Sequence, residues 1–199
     1  MTTAAVLLAA GAGRRMGVPK ALLHHPDGTP WVAAAADTLA AGGCAPVIVV
    51  VGAQAGDVEA ELPPGALPVR CADWQEGMSA SLRTGLQAAG LLDPAPDAVV
   101  VGLVDTPGVT PEVVARLVAH AAPATLAQAA YGGAPAHPVL LGRDHWAPAA
   151  LCASGEAGVP AYLATRADRV MLVECGDVGR GEDVDVPRLG ARTGHTLDR

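Results

Sequence analysis

Short, almost uninterrupted apolar runs punctuate this chain at residues 4–10, 46–51, 67–71, 97–103, 125–131, 138–141 and 169–174. Between them lie longer mixed stretches, at 31–41, 54–62, 78–92, 143–152 and 159–165, that read as helices. A further helix is opened by Thr110 as N-cap, with Pro111 in the first helical position. Gly42-Gly43 gives the stop signal of the first long helix. The runs predict strands covered on both sheet faces, since a half-exposed strand would alternate apolar and polar residues.

Strands alternating with helices predict an α/β fold, a three-layer arrangement with a mostly parallel sheet between helices. The runs at 125–131 and 138–141 are neighbours in sequence, which predicts one antiparallel pair and so a mixed sheet. At 199 residues the chain is expected to form one domain, residues 1–199, with a loose tail from about 190. Ligands in such folds sit beyond the carboxyl ends of the strands, where connections diverge.

Composition narrows the function classes. Half the residues are apolar and there is no Phe, so the core must be built from Ala, Val and Leu. The net charge is −7, and no basic run is longer than Arg14-Arg15. A nucleic-acid partner needs a basic face to replace phosphate counterions, so none is expected. Cys44, Cys71, Cys152 and Cys175 lie far apart and form no CxxC, as in scattered thiols of a reducing cytoplasm. The N-terminus has no basic leader and its apolar run is too short for a membrane span. A cytoplasmic protein without a membrane partner is the expectation.

The first strand ends abruptly in Gly11-Ala12-Gly13, followed by Arg14, Arg15, Gly17, Pro19 and Lys20. Glycines let backbone N–H groups approach phosphates, and the cations neutralise their charge. A dinucleotide fingerprint would need its third glycine at position 16, which is Met16, and an acid after the second strand, where Val51-Gly52-Ala53 stands. A P-loop would need glycines five apart and Ser or Thr after the Lys, but Ala21 follows Lys20. The pattern fits a nucleoside triphosphate held without either motif. Transfer chemistry on such a ligand needs a divalent ion with oxygen ligands. Asp105 is the best candidate, because it follows an apolar strand and is not needed as a helix cap. At 74–82 a Trp-Gln-Glu-Gly segment with small and hydroxyl residues opens the longest helix, whose N-terminus could meet a base edge or an anion.

Residues 8–23, LAAGAGRRMGVPKALL, resemble the signature of nucleotidyltransferases related to molybdenum cofactor cytidylyltransferase and guanylyltransferase. Their wider superfamily includes the sugar-nucleotide pyrophosphorylases, which implies a Rossmann-like fold of the nucleotide-diphospho-sugar transferase type. The resemblance implies that the loop Leu8, Ala9, Ala10, Gly11, Ala12, Gly13 and Arg14 binds nucleotide. It also implies that Arg15 holds the triphosphate and Lys20 stabilises the transition state. The Ala9-Ala10 pair is similar to the cytidylyl branch, which ranks CTP ahead of GTP.

GLVDTPGV, residues 102–109, is similar to the segment whose Asp binds Mg2+ (or Mn2+), here Asp105. Glu182-Asp183-Val184-Asp185-Val186-Pro187 resembles a C-terminal D-I-D-T-P segment, which makes Asp185 the second metal ligand with Asp183 as fallback. The 74–82 segment resembles W-x-x-G-M-x-x-S-L, implying Gly77 and Ser81 at the base. Acceptor-side positions by the same match are His137, in A-H-P-V, and Glu156, in G-E-A-G-V-P. In that last segment Glu156 stands where Asp is usual and Pro160 where Arg is usual. An Arg-to-Pro change removes a cation suited to an anionic acceptor. Trp146 reads as packing.

The reaction implied is metal-dependent transfer of CMP, with GMP second, from an NTP to a phosphorylated acceptor such as the molybdopterin cofactor, releasing pyrophosphate. A molybdoenzyme or cofactor-pathway protein is the implied partner. Two other readings remain open. Relatives sharing GLVDTPGV and GRDHW include nicotine blue oxidoreductases, which implies NAD(P)H-dependent reduction. The other is a non-catalytic nucleotide-binding relative.

Overall fold

The computed structural model describes residues 1–14 and 16–184. Strands β1 (Thr3–Ala9), β2 (Val47–Val51), β3 (Ala66–Arg70), β4 (Ala98–Leu103), β5 (Leu126–Tyr131), β6 (Ala134–Gly142) and β7 (Met171–Glu174) form one sheet. Their order is β3-β2-β1-β4-β6-β5-β7. β6 is antiparallel to both β4 and β5, and every other neighbouring pair is parallel. The helices are α1 (Trp31–Ala41), α2 (Ala55–Ala60), α3 (Met78–Gly90), α4 (Pro111–Val118), α5 (Trp146–Cys152) and α6 (Val159–Ala164). The mixed, mostly parallel sheet lies between two helical layers, the Rossmann-like arrangement expected.

β1 explains why the apolar runs are continuous. Ala4, Val6, Leu8 and Ala10 enter one core with Leu82, Leu86 and Ala89 of α3, Trp146 of α5 and Tyr162 of α6. Ala5, Leu7 and Ala9 enter the other with Val32, Ala36 and Leu39 of α1 and Val113, Val114 and Leu117 of α4. Each fully buried Val or Leu contributes roughly 1.5–3 kcal/mol, so both strand faces must be apolar. Trp146 donates its indole N–H to the Leu141 carbonyl at 3.0 Å and is buried, which agrees with packing.

Local chemistry sets the helix ends. The Thr110 hydroxyl accepts the Val113 N–H at 3.4 Å, with Pro111 opening α4. At the end of α1, Gly43 takes φ +100° and the Cys44 N–H reaches back to the Leu39 carbonyl at 3.1 Å, the pattern of a Schellman cap. Gly85 lies against Val6, where an added Cβ would collide with the valine side chain. A helical glycine costs about 1 kcal/mol relative to Ala, but here it lets α3 press closely on β1.

The strand order fixes where a ligand can sit. The chain steps outward from β1 to β2 and β3, then crosses back to lay β4 on the other side of β1. Connections leaving the carboxyl ends of β1 and β4 therefore diverge and open a crevice.

Candidate functional site

A cleft of about 560 Å3 occupies that crevice. One side is the end of β1 and its loop, residues 8–14 with Met16 and Lys20. Leu103, Val104 and Asp105 at the end of β4 form the floor, and Trp74, Gln75, Gly77, Met78, Ser81 and Glu156 the opposite wall. The cleft thus gathers residues that the sequence assigns to nucleotide, metal and acceptor. Arg15 and Asp185 lie outside the described residues, as does the tail expected from about 190.

The two glycines of the loop do different work. Gly13 adopts φ +58°, and its carbonyl accepts the N–H groups of Met16 at 2.8 Å and Gly17 at 2.9 Å. A Cβ at Gly13 would run into the Val18 carbonyl, so the turn requires glycine there. Among the described residues, nothing lies within 4 Å of a Cβ built on Gly11. Glycine at 11 is therefore not demanded by the protein's own packing, and it leaves bare backbone facing the cleft, where a phosphate could approach.

Lys20 opens a short 3-10 turn, Lys20–Leu22, directly after Pro19. Its Nζ donates to Oδ2 of Asp105 at 2.7 Å, with each side chain about 19% exposed. Asp105 is held from two directions. Thr106 Oγ1 donates to the Leu103 carbonyl at 3.0 Å and tightens the turn after β4. The Val184 N–H donates to the Asp105 carbonyl at 2.8 Å. That last bond brings the Glu182-Asp183 segment back to the site from the far end of the chain. Among the described residues no group of three or more metal-ligating side chains is assembled. Magnesium asks for less, since one or two carboxylates completed by phosphate oxygens and water suffice. Asp105, with the acidic C-terminal segment bonded beside it, fits that requirement.

His137, on β6, does not line the cleft. Among the described residues its buried Nδ1 has no hydrogen-bond partner. Burial pushes the imidazole pKa below its ordinary value, against the backbone of Val101 and the charges of Asp105 and Asp183, which favour the protonated form. The ring therefore belongs to the Asp105 side of the site rather than to the wall that carries Glu156.

The wall is joined in a way the sequence does not announce. Gly77 has φ +103°, and the Ser79 N–H at the start of α3 donates to the Gly155 carbonyl at 3.0 Å. The Ala80 N–H is taken by the Gly77 carbonyl at 3.2 Å. Two of the early α3 donors are thus satisfied within the protein, and the helix N-terminus is only partly available to a ligand. The 74–82 segment that the sequence places at the base contributes Trp74 and Met78 to the lining as well as Gly77 and Ser81, the two positions it singles out. Trp74 is one of only three Trp in a chain with two Tyr and no Phe.

Residues 5–170 match the family model of the MobA-like NTP transferase domain. The chain is 37% identical over 190 residues to nicotine blue oxidoreductase from Paenarthrobacter nicotinovorans, covering 90% of each protein. Its fold is similar to that of a nucleotidyl transferase from Methanothermobacter, with TM-score 0.74 and 27% identity over 87% of both chains. It is also similar to Rv0371c from Mycobacterium tuberculosis, with TM-score 0.75 and 26% identity over 93% of both chains. A manganese complex of Rv0371c matches at TM-score 0.70 and 25% identity, over 87% of this chain and 88% of that one. With a glycine loop, lysine and aspartate gathered at the strand ends and a family match over most of its length, this chain belongs to the MobA-like NTP transferase family.

Proposed function

We propose that this chain is a divalent-metal-dependent nucleotidyltransferase. An acceptor oxygen attacks the α-phosphorus of an NTP, a new P–O bond forms as the bond from Pα to the bridging oxygen breaks, and pyrophosphate leaves. The observation that carries this is the Lys20–Asp105 pair, 2.7 Å apart, at the mouth of a glycine loop with bare backbone at Gly11. A lysine and a carboxylate in contact beside an anion-accepting loop suit a reaction whose charge builds on phosphate oxygens.

In this reading the loop backbone, Arg14 and Arg15 bind the triphosphate. Lys20 donates to the oxygens on which charge develops. Asp105, with Asp185 or Asp183, would hold Mg2+ or Mn2+, which supplies Lewis-acid stabilisation of the phosphates when bound. The manganese complex of Rv0371c supports divalent-metal use. Ala9-Ala10 favours CTP over GTP, Gly77 and Ser81 flank the base, and the acceptor is a small phosphorylated molecule such as the molybdopterin cofactor. A cytoplasmic protein that hands its product to a molybdoenzyme or cofactor-pathway partner completes the picture.

The test is pyrophosphate release from each of the four NTPs with Mg2+, with and without molybdopterin. CTP- and acceptor-dependent release that stops on chelation is expected. Absence of release with every pair would overturn the assignment. A second reading rests on the similarity to nicotine blue oxidoreductase. The missing third glycine at Met16 and the missing acid after β2 count against a nicotinamide site. Consumption of NAD(P)H by the purified chain would favour that reading over transfer.

A further inference from the structure

The C-terminal segment returns to Asp105 along a fixed path. The Arg116 guanidinium grips both carboxylate oxygens of Asp177 at 2.6 Å and donates to the Glu174 carbonyl at 2.9 Å. Thr110 Oγ1 donates to the Val178 carbonyl at 2.9 Å. The Arg180 N–H donates to the Gly108 carbonyl and the Val184 N–H to the Asp105 carbonyl, each at 2.8 Å. Residues 178–184 therefore run antiparallel to residues 105–110 and form a strap along the loop that leaves β4. The strap carries Glu182 and Asp183 as exposed side chains. The charges of Asp183 and Asp105 both act on the buried His137 ring, which puts them on one side of the site.

Three glycines let the strap lie this close. A Cβ at Gly108 would meet the Arg180 carbonyl at 2.7 Å, and one at Gly179 would meet Val113 Cγ2 at 2.6 Å. Gly181 is the most crowded of the three. A Cβ there would overlap Cε2 and Cδ2 of the Tyr131 ring and lie 2.8 Å from Ala136 Cβ. The ring cannot easily yield, because the Tyr131 hydroxyl donates to the His137 carbonyl at 3.0 Å and so ties it to β6. The φ of Gly181 is not positive, so the backbone there would accept any L residue. Contact with the ring, rather than the turn, is what calls for glycine. Gly181 stands three residues before the Val184–Asp105 bond, so a shift at 181 moves the strap's carboxylates relative to Asp105.

We propose that Gly181 is a positioning residue for divalent-cation binding. By crossing the Tyr131 ring without a Cβ, it seats the strap so that the carboxylates of Asp183 and Asp185 can share a cation with Asp105. Groups that orient ligands matter nearly as much as the ligands themselves, typically about 10–100-fold in metal affinity. The inference rests on the reading of Asp105 as a cation ligand.

The test is Mn2+ titration of the full chain, followed by the electron paramagnetic resonance signal of free Mn2+. Asp183→Asn/Asp185→Asn should weaken Mn2+ binding about tenfold, and Gly181→Ala should do the same with both carboxylates still present. Combining the three substitutions should add less than about twofold to either effect, because a displaced strap no longer offers its carboxylates. Gly181→Ala/Tyr131→Ala, which removes the ring that the new Cβ meets, should bind Mn2+ at least about threefold more tightly than Gly181→Ala. The variants are compared where their circular dichroism matches that of the parent. Unchanged binding in Gly181→Ala or in Asp183→Asn/Asp185→Asn would overturn the inference while leaving Asp105 a cation ligand. Effects that multiply in the combined variant would also overturn it, since Gly181 would then act on the fold and not on the strap's carboxylates. So would the absence of any gain from Tyr131→Ala. A parent chain that binds no Mn2+, or an Asp105→Asn chain that binds it as tightly as the parent, would remove the cation reading of Asp105 and the inference with it.

Discussion

The loop end and the far wall of the cleft are built in different ways. Residues 11–20 are contiguous, and their chemistry is local: a positive-φ glycine, a bare glycine, and a lysine delivered by a proline-led turn to Asp105. The wall is assembled from residues 52, 74–81 and 155–158, brought into contact where glycines remove a Cβ. The first end carries Arg14 and Lys20, and the second Trp74, Met78, Ser81 and Glu156.

Asp105→Ala should have the largest effect on this contrast, lowering nucleotidyl transfer by about 10³-fold or more. Lys20→Ala should cost about 10²–10³-fold. Both variants should keep a circular dichroism spectrum like that of the parent chain. Comparable loss from a wall substitution alone would break the division of labour.

A sharper test compares the two loop glycines. Gly13→Ala should lower stability by about 1–3 kcal/mol in urea unfolding, because Ala must then hold φ +58° against the Val18 carbonyl. Among the described residues a Cβ at Gly11 meets nothing, so the unfolding midpoint of Gly11→Ala should not move while its NTP affinity falls. Equal destabilisation in both would show that Gly11 is structural rather than a ligand-facing position.

On the wall, Glu156→Gln should raise the acceptor KM about tenfold with little change in the KM for NTP. A change confined to the NTP would move Glu156 to the nucleotide.

The smallest effect expected lies far from both ends. Glu174 accepts N–H groups from Gly133, Gly176 and Gly132, each at 2.9 Å, which holds its carboxyl below its ordinary 4.5. A depressed folded pKa gives stabilisation that is present above the unfolded value and is lost as pH falls through the folded one. Between about pH 6 and pH 3, Glu174→Gln should therefore lose slightly less melting temperature than the parent.

Much of the fold was legible because the signals were short-range. Thr110-Pro111 caps α4, Gly42-Gly43 ends α1, and the doubly buried strands read as continuous apolar runs. The floor of the site was legible for the same reason, since Asp105 ends one such run. The wall was not, because nothing around Gly52, Trp74 or Gly155 in sequence says that they meet. That contact depends on which faces α3 and the 155–158 loop present after the sheet has formed. The position of His137 was hidden for a related reason. Its neighbours Asp105 and Asp183 come from the end of β4 and from the C-terminal segment, and only the sheet order and the Val184–Asp105 bond bring these together.

The most direct measurement follows the α-phosphorus of CTP itself. With α-labelled CTP, Mg2+ and molybdopterin, the parent chain should move label onto the acceptor with stoichiometric pyrophosphate release, and Asp105→Ala or excess chelator should abolish both. Label transfer that survives Asp105→Ala, or a parent chain that binds CTP and moves no label to any acceptor, would contradict the assignment of the loop end as a nucleotidyl-transfer site.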